Sequence, residues 1–190
     1  NAPWWLTRLS FQTTKMCMKS AFILMALLVA SVSAAEKPAT FEVSSIKFTA
    51  PAKWVSQKTS SRMRAAQFGV PGAKGQPPAQ CVFFYFGPGG AGGVDANVKR
   101  WLGQFAPQPK VKHTVKLEKI NNVAVTHVMA EGTYMDGPPF GTKVPKKGFA
   151  MRGIIVMAPR GAIFIKMTGP KAVVESAEKP LVEMVKGALK

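Results

Sequence analysis

The sequence predicts an α+β domain in which an antiparallel β-sheet carries helices on its faces, and three observations lead there. First, Cys81–Phe86, Phe149–Met157 and Ala162–Thr168 are apolar at both parities, so they read as strands covered on both sides. Second, tight turn signals join the later strands: Asn121-Asn122 between His113–Ile120 and Val123–Glu131, and Ala158–Gly161 between the last two strands. Such turns make hairpins, not parallel crossovers. Third, the period changes from two to that of a helix at Val94–Phe105 and again after Gly169-Pro170.

Taken in order, Glu36–Thr40 reads as a disordered leader. Phe41–Thr49 alternates in part, and Pro51 interrupts the pattern before Trp54-Val55, which predicts two short strands meeting at a bend, with Trp54 capping one edge of the core. Met63–Val70 is a strand ended by Pro71-Gly72, and Gly72–Ala79 is the loop into the interior strand Cys81–Phe86. Gly87–Gly93 contains only Pro88 and Ala91 besides glycine, so the backbone can reverse sharply. Val94, Val98, Trp101, Leu102 and Phe105 then form one stripe that packs on the sheet, with Lys99 and Arg100 on the outer side.

Ala106–Pro109 ends that helix. An Asn121-Asn122 turn fixes the next hairpin so that His127 opposes Lys116, while His113 shares the face of Val115, Leu117 and Val128. Tyr134–Gly148, rich in Pro and Gly, reads as a long loop. In the final helix Val174, Ala177, Leu181, Met184, Val185 and Ala188 make the buried stripe, and Pro180 is expected to kink or split it.

The order of elements, with the Pro51–Trp54 segment, the aromatic strand and its helix, resembles the PsbP-like superfamily. The stretches Phe84–Phe105 (FYFGPGGAGGVDANVKRWLGQF) and Met167–Pro170 (MTGP) are similar to an uncharacterised family of exported bacterial proteins. The resemblance implies an α/β/α sandwich. For plant members it also implies a non-enzymatic assembly role in photosystem II, and no catalytic motif comes with it.

Residues 1–17 read as a segment upstream of the true start. Met18-Lys19, the apolar run Ala21–Ala30 and the small residues Ser31–Ala35 have the three parts of a secretory signal peptide, cleaved before Glu36. Residues 36–190 are then one exported domain, periplasmic or secreted, without a transmembrane segment after signal removal. Cys81 is the one cysteine of that mature chain, so no internal disulfide can form. With 26 Lys and Arg against 9 Asp and Glu, the chain carries +17 at pH 7. That charge favours anionic partners through long-range attraction.

Gly87–Gly92 satisfies G-x-G-x-x-G between a strand and a helix. However, Pro88 removes a backbone donor, Asp95 places negative charge at the helix start, and the later strands pair as hairpins, so the motif reads as a structural turn. Cys81 is the candidate nucleophile for a thiol-dependent enzyme, against the reading of a buried packing residue. His113 and His127 point to opposite faces and share no metal, and Glu175, Glu178 and Glu183 read as the solvated face of the last helix. No catalytic, cofactor-binding or metal residues are therefore assigned.

The functional expectation is a non-enzymatic binding or assembly module with an unidentified protein partner. The alternatives are a basic protein that binds anionic envelope or polymer ligands and, third, the Cys81 enzyme. Lys99, Arg100, Lys143, Lys146 and Lys147 are the candidate cationic contacts, with Tyr134 and Phe140 as candidate exposed rings. Specific nucleic-acid binding is not expected, because exposed aromatics for stacking bases are not evident.

Overall fold

In the computed structural model, which describes residues 38–59, 61–107, 111–138 and 140–190, Ser44 and Ser45 adopt φ of 52° and 65°. These left-handed angles fold the stretch expected to be a single strand into a hairpin of its own. Strands β1 (Thr40–Val43) and β2 (Ile46–Thr49) pair antiparallel as a separate two-stranded sheet. Serine is an uncommon choice at that angle, so the turn left little trace in the sequence. The expected signal peptide and upstream segment lie outside the described residues.

The main sheet contains β3 (Val55–Ser56), β4 (Arg64–Val70), β5 (Ala79–Tyr85), β6 (Lys112–Ile120), β7 (Val123–Asp136), β8 (Val144–Ala158) and β9 (Gly161–Pro170). Their spatial order is β3-β4-β5-β9-β8-β7-β6, and every pairing is antiparallel. The aromatic strand β5 is interior, flanked by β4 and β9. At the β6–β7 turn Asn121 and Asn122 have φ of 48° and 65°, and the register places His127 opposite Lys116 as expected. Asn121 also donates from Nδ2 to the Leu189 carbonyl at 2.7 Å, tying this turn to the end of the last helix.

Side-chain alternation sends the two halves of the core to opposite faces. Cys81 and Phe83 join Ile154, Val156, Ile163, Ile165 and Met167 under the β1–β2 hairpin and α2 (Lys171–Ala188). Phe84, Val128, Met151, Ile155 and Phe164 face the other way, under α1 (Val94–Leu102). Trp101 of α1 is 4% exposed and meets Phe164 edge-on at 6.3 Å. Its approach requires Gly153, where an added Cβ would lie 2.3 Å from the Trp101 ring. The fold class is thus the one expected: an α+β protein whose antiparallel sheet carries a helix on each face.

Three expectations need correction. Tyr134–Gly148 is not one long loop: β7 runs to Asp136 and β8 starts at Val144, so Tyr134, Lys146 and Lys147 stand on strands. A shift in register between Gly132 and Tyr134 carries the pairing past the glycine that would otherwise stop it. Helix α2 is not split by Pro180, because Val173, Val174 and Ala177 before it and Leu181, Met184 and Val185 after it are all buried on the same core. Finally, Glu178 does not simply face water. Its Oε2 lies 2.9 Å from Nε of the buried Arg152 on β8.

Candidate functional site

Cations from three elements lie on the side of the sheet that carries α1. The first comes from β4, where a register shift between Arg64 and Ala66 lets Arg64 and Gln67, three residues apart, occupy one face opposite Phe84 and Val82. An Arg64 guanidinium nitrogen donates to Gln67 Oε1 at 2.6 Å, and the group lies 5.9 Å from the Phe84 ring centre. The second is Arg100 on α1, exposed as expected, which donates to Asn97 Oδ1. Asn97 itself is 1% exposed, and its Nδ2 closes the glycine turn by donating to the carbonyls of Ala91 (2.8 Å) and Gly93 (2.9 Å). The turn thus gains its fixed shape from a side chain four residues into the helix, and Gly87, Gly89 and Gly92 supply its positive φ.

The third cation, Lys166, comes from the middle of β9. Its Nζ donates to Gln104 Oε1, just beyond α1, and to the Tyr134 hydroxyl at 3.0 Å, and it lies 5.0 Å from the centre of the Tyr134 ring. Lys166 is half-buried. Loss of solvent around the ammonium is the main cause that holds its pKa down to about 8; Asp136 raises it, and Arg100 and Arg64 lower it further. Burial, helped by Asp136, pushes the Tyr134 phenol up from its ordinary value, so its O–H stays protonated.

All three cations are therefore positioned by neutral oxygens. Among the described residues none of the three lies within ion-pair distance of a carboxylate, whereas Lys112, Arg152, Lys171 and Lys179 each have one.

Of the residues expected to form contacts, the structure brings Arg100 and Tyr134 towards Lys166. Tyr134 is not an exposed ring: it packs edge-on to Phe105 at 5.5 Å and stacks on Phe149 at 6.3 Å. Phe140 is 99% exposed. Lys143 is partly buried and bonds back to the carbonyls of Gly137 and Pro138, which fastens the loop beneath Phe140. Lys146 opposes Tyr134 across the β7–β8 pair and is partly buried, and Lys147 is exposed. Lys99 is exposed on α1.

Cys81 is fully buried, and burial pushes its thiol well above the ordinary value. It therefore packs the core, and the reading as an accessible nucleophile is withdrawn. Sequence reasoning missed Arg64, Asn97, Gln104 and Lys166. For Lys166 a signal existed: it is the one charge in the strand Ala162–Thr168, which is apolar on both faces.

No protein-family model matches the chain, and none of the curated proteins matches it. Among solved structures, the chain is similar to cyanobacterial PsbP (CyanoP) from Synechocystis sp. PCC 6803. The TM-score is 0.49 at 8% identity, over 85% of this chain and 96% of that one. It is also similar to a Pseudomonas aeruginosa protein of unknown function, PA94, with a TM-score of 0.42 at 12% identity, over 79% of this chain and 94% of that one. No helix of the described residues is long and apolar enough to cross a membrane.

Proposed function

We propose that the protein is an exported, non-enzymatic binding module that engages a protein partner through the tip between β7 and β8. The observation that carries this reading is the presentation of Phe140. The ring is 99% exposed on a loop whose backbone is fastened by Lys143, and Val144, 51% exposed, follows it at the start of β8. A ring left wholly in water adds nothing to the core, and burying one contributes about 1.5–3 kcal/mol. Aromatic anchors on fixed loops are what partner surfaces bury. The expected export places that partner in the periplasm or outside the cell.

A photo-reactive phenylalanine analogue at position 140, in cells that make the full chain, should yield one discrete cross-linked product that the same analogue at Lys186 does not. The same pattern from both positions would reject the reading.

A second reading, a basic protein held on anionic envelope polymers, is favoured by Lys99, Arg100 and Lys147, which are all exposed. Changing Lys143, Lys146 and Lys147 together to Ser should then lower the salt concentration that elutes the protein from an anionic matrix. Unchanged elution would remove it.

A further inference from the structure

We propose that Lys166, Arg64 and Arg100, with the Tyr134 hydroxyl, form a binding site for the phosphate group of a phosphate monoester. The site is independent of the partner contact at the β7–β8 tip and makes no use of Phe140.

The argument starts from what each cation is bonded to. Every one is held by a neutral amide oxygen: Arg64 by Gln67, Arg100 by Asn97 and Lys166 by Gln104. An amide oxygen fixes the direction of a cation without neutralising it. This chain does pair cations with carboxylates elsewhere, as in Lys112 and Lys171 on Glu131 and Arg152 on Glu178. Gln67, which holds Arg64, and Lys166 stand on the two sides of Val82 in the sheet, and Lys166 is bonded to Gln104, four residues after Arg100. Cations placed on one face in this way and outside ion-pair distance of a carboxylate repel, and an arriving anion relieves that repulsion.

The donors left over suit a phosphate. An ammonium has three N–H groups; two of those on Lys166 are used by Gln104 and Tyr134. Because Lys166 donates to the Tyr134 oxygen, the phenol O–H remains to donate outward. Each guanidinium offers five N–H donors in a planar fork that matches phosphate oxygens, and the recorded bonds to Gln67 and Asn97 leave most of that fork open. Asp136 is the carboxylate whose charge reaches Lys166. Two guanidinium forks and an ammonium offer donors to three oxygens, which a phosphate monoester presents and a carboxylate does not. Phe84, half-buried beneath Arg64, gives the ligand's organic part an apolar edge to rest on.

The test is a titration of the full, isotope-labelled chain at pH 7, followed by NMR at the Lys166 side chain, with chloride holding ionic strength constant. Inorganic phosphate and glycerol phosphate should produce saturable shifts with a Kd of about 1 mM or lower, and acetate should bind about tenfold more weakly. Lys166→Met and, separately, Arg64→Gln should each weaken phosphate binding about tenfold or more, Asp136→Asn should strengthen it, and Lys99→Gln should leave it unchanged. Arg64 is only partly buried, so its variant tests the site even if Lys166→Met perturbs folding.

Vesicles of phosphatidic acid, compared with vesicles of phosphatidylcholine, separate the sources of the phosphate. Lys166-dependent binding to the former assigns a lipid headgroup, and tight binding of glycerol phosphate alone assigns a soluble ester. Shifts that fail to saturate, equal affinity for acetate, or equal weakening by Lys99→Gln would overturn the proposal.

Discussion

Glu131 accepts from two lysines drawn from distant parts of the chain, Lys112 Nζ at 2.7 Å and Lys171 Nζ at 2.5 Å. Those hydrogen bonds, Lys112's first, hold its carboxyl down from 4.5 to about 2. A carboxylate whose folded value lies below its unfolded one stabilises the fold above pH 4.5 and loses that contribution as pH falls towards 2. Glu131→Gln should therefore flatten the acid side of the stability profile, and urea midpoints taken from pH 6 to pH 2.5 read it directly. An acid limb as steep as the parent's would show that the two lysines do not act through this carboxylate.

The folded value of Lys166 is lowered too, so stability again rises with pH, but here the charged form is the one that costs stability. Its folded value, about 8, lies below the ordinary 10.5, so the charged form is disfavoured in the folded protein and the penalty is relieved as pH rises between those values. The parent should gain stability from pH 8 to pH 10.5, and Lys166→Met should lack that gain while being no less stable than the parent at pH 7.

Helix α1 has nine residues, too few to persist alone in water, so its place depends on packing. The contact that fixes it is Trp101 over Gly153. Gly153→Ala should cost about 1–3 kcal/mol through overpacking, read as a lower urea midpoint with a changed tryptophan emission in the folded state. Because α1 also positions Arg100 and leads into Gln104, the same substitution should weaken phosphate binding without touching a ligand-facing group. Folded protein with the parent's midpoint would mean that the tryptophan finds another seat at no cost.

At the scale of the whole molecule, the sheet has unequal edges. The β3 edge is two residues long, whereas β6 offers nine residues, with Val115 at 48% and Leu117 at 70% exposure. A long, partly apolar edge invites pairing with another chain, and lysines are a common guard against it. Lys112, Lys116 and Lys119 stand along β6. Replacing Lys116 and Lys119 together by Thr should raise the weight-average mass by light scattering relative to the parent at equal concentration. An unchanged mass would place the guard elsewhere, for instance in the overall positive charge.

Much of this was readable along the chain, and the reason is local. The Asn121-Asn122 turn specified a register that the strands then followed, the helical spacing of Trp101 with Val98 specified which side of α1 faces the sheet, and the apolar run at Cys81–Phe86 specified an interior strand. Each of these is set by residues within a few positions of one another, where the backbone's own periodicity does the selecting. The Ser44-Ser45 hairpin and the length of β7 and β8 were not readable in that way, since they depend on a left-handed serine turn and on a shift in pairing against a partner strand.

The phosphate site lay still further from reach. Arg64, Arg100, Gln104, Tyr134 and Lys166 are spread over about a hundred residues, and only the antiparallel order of the sheet puts β4, β7, β9 and α1 around the same patch. The sequence by itself determined the fold class, because it follows from local pattern. Only the tertiary structure decided which cations share a face and, among the described residues, stand outside ion-pair distance of a carboxylate, because that is a property of folded distance and not of spacing along the chain.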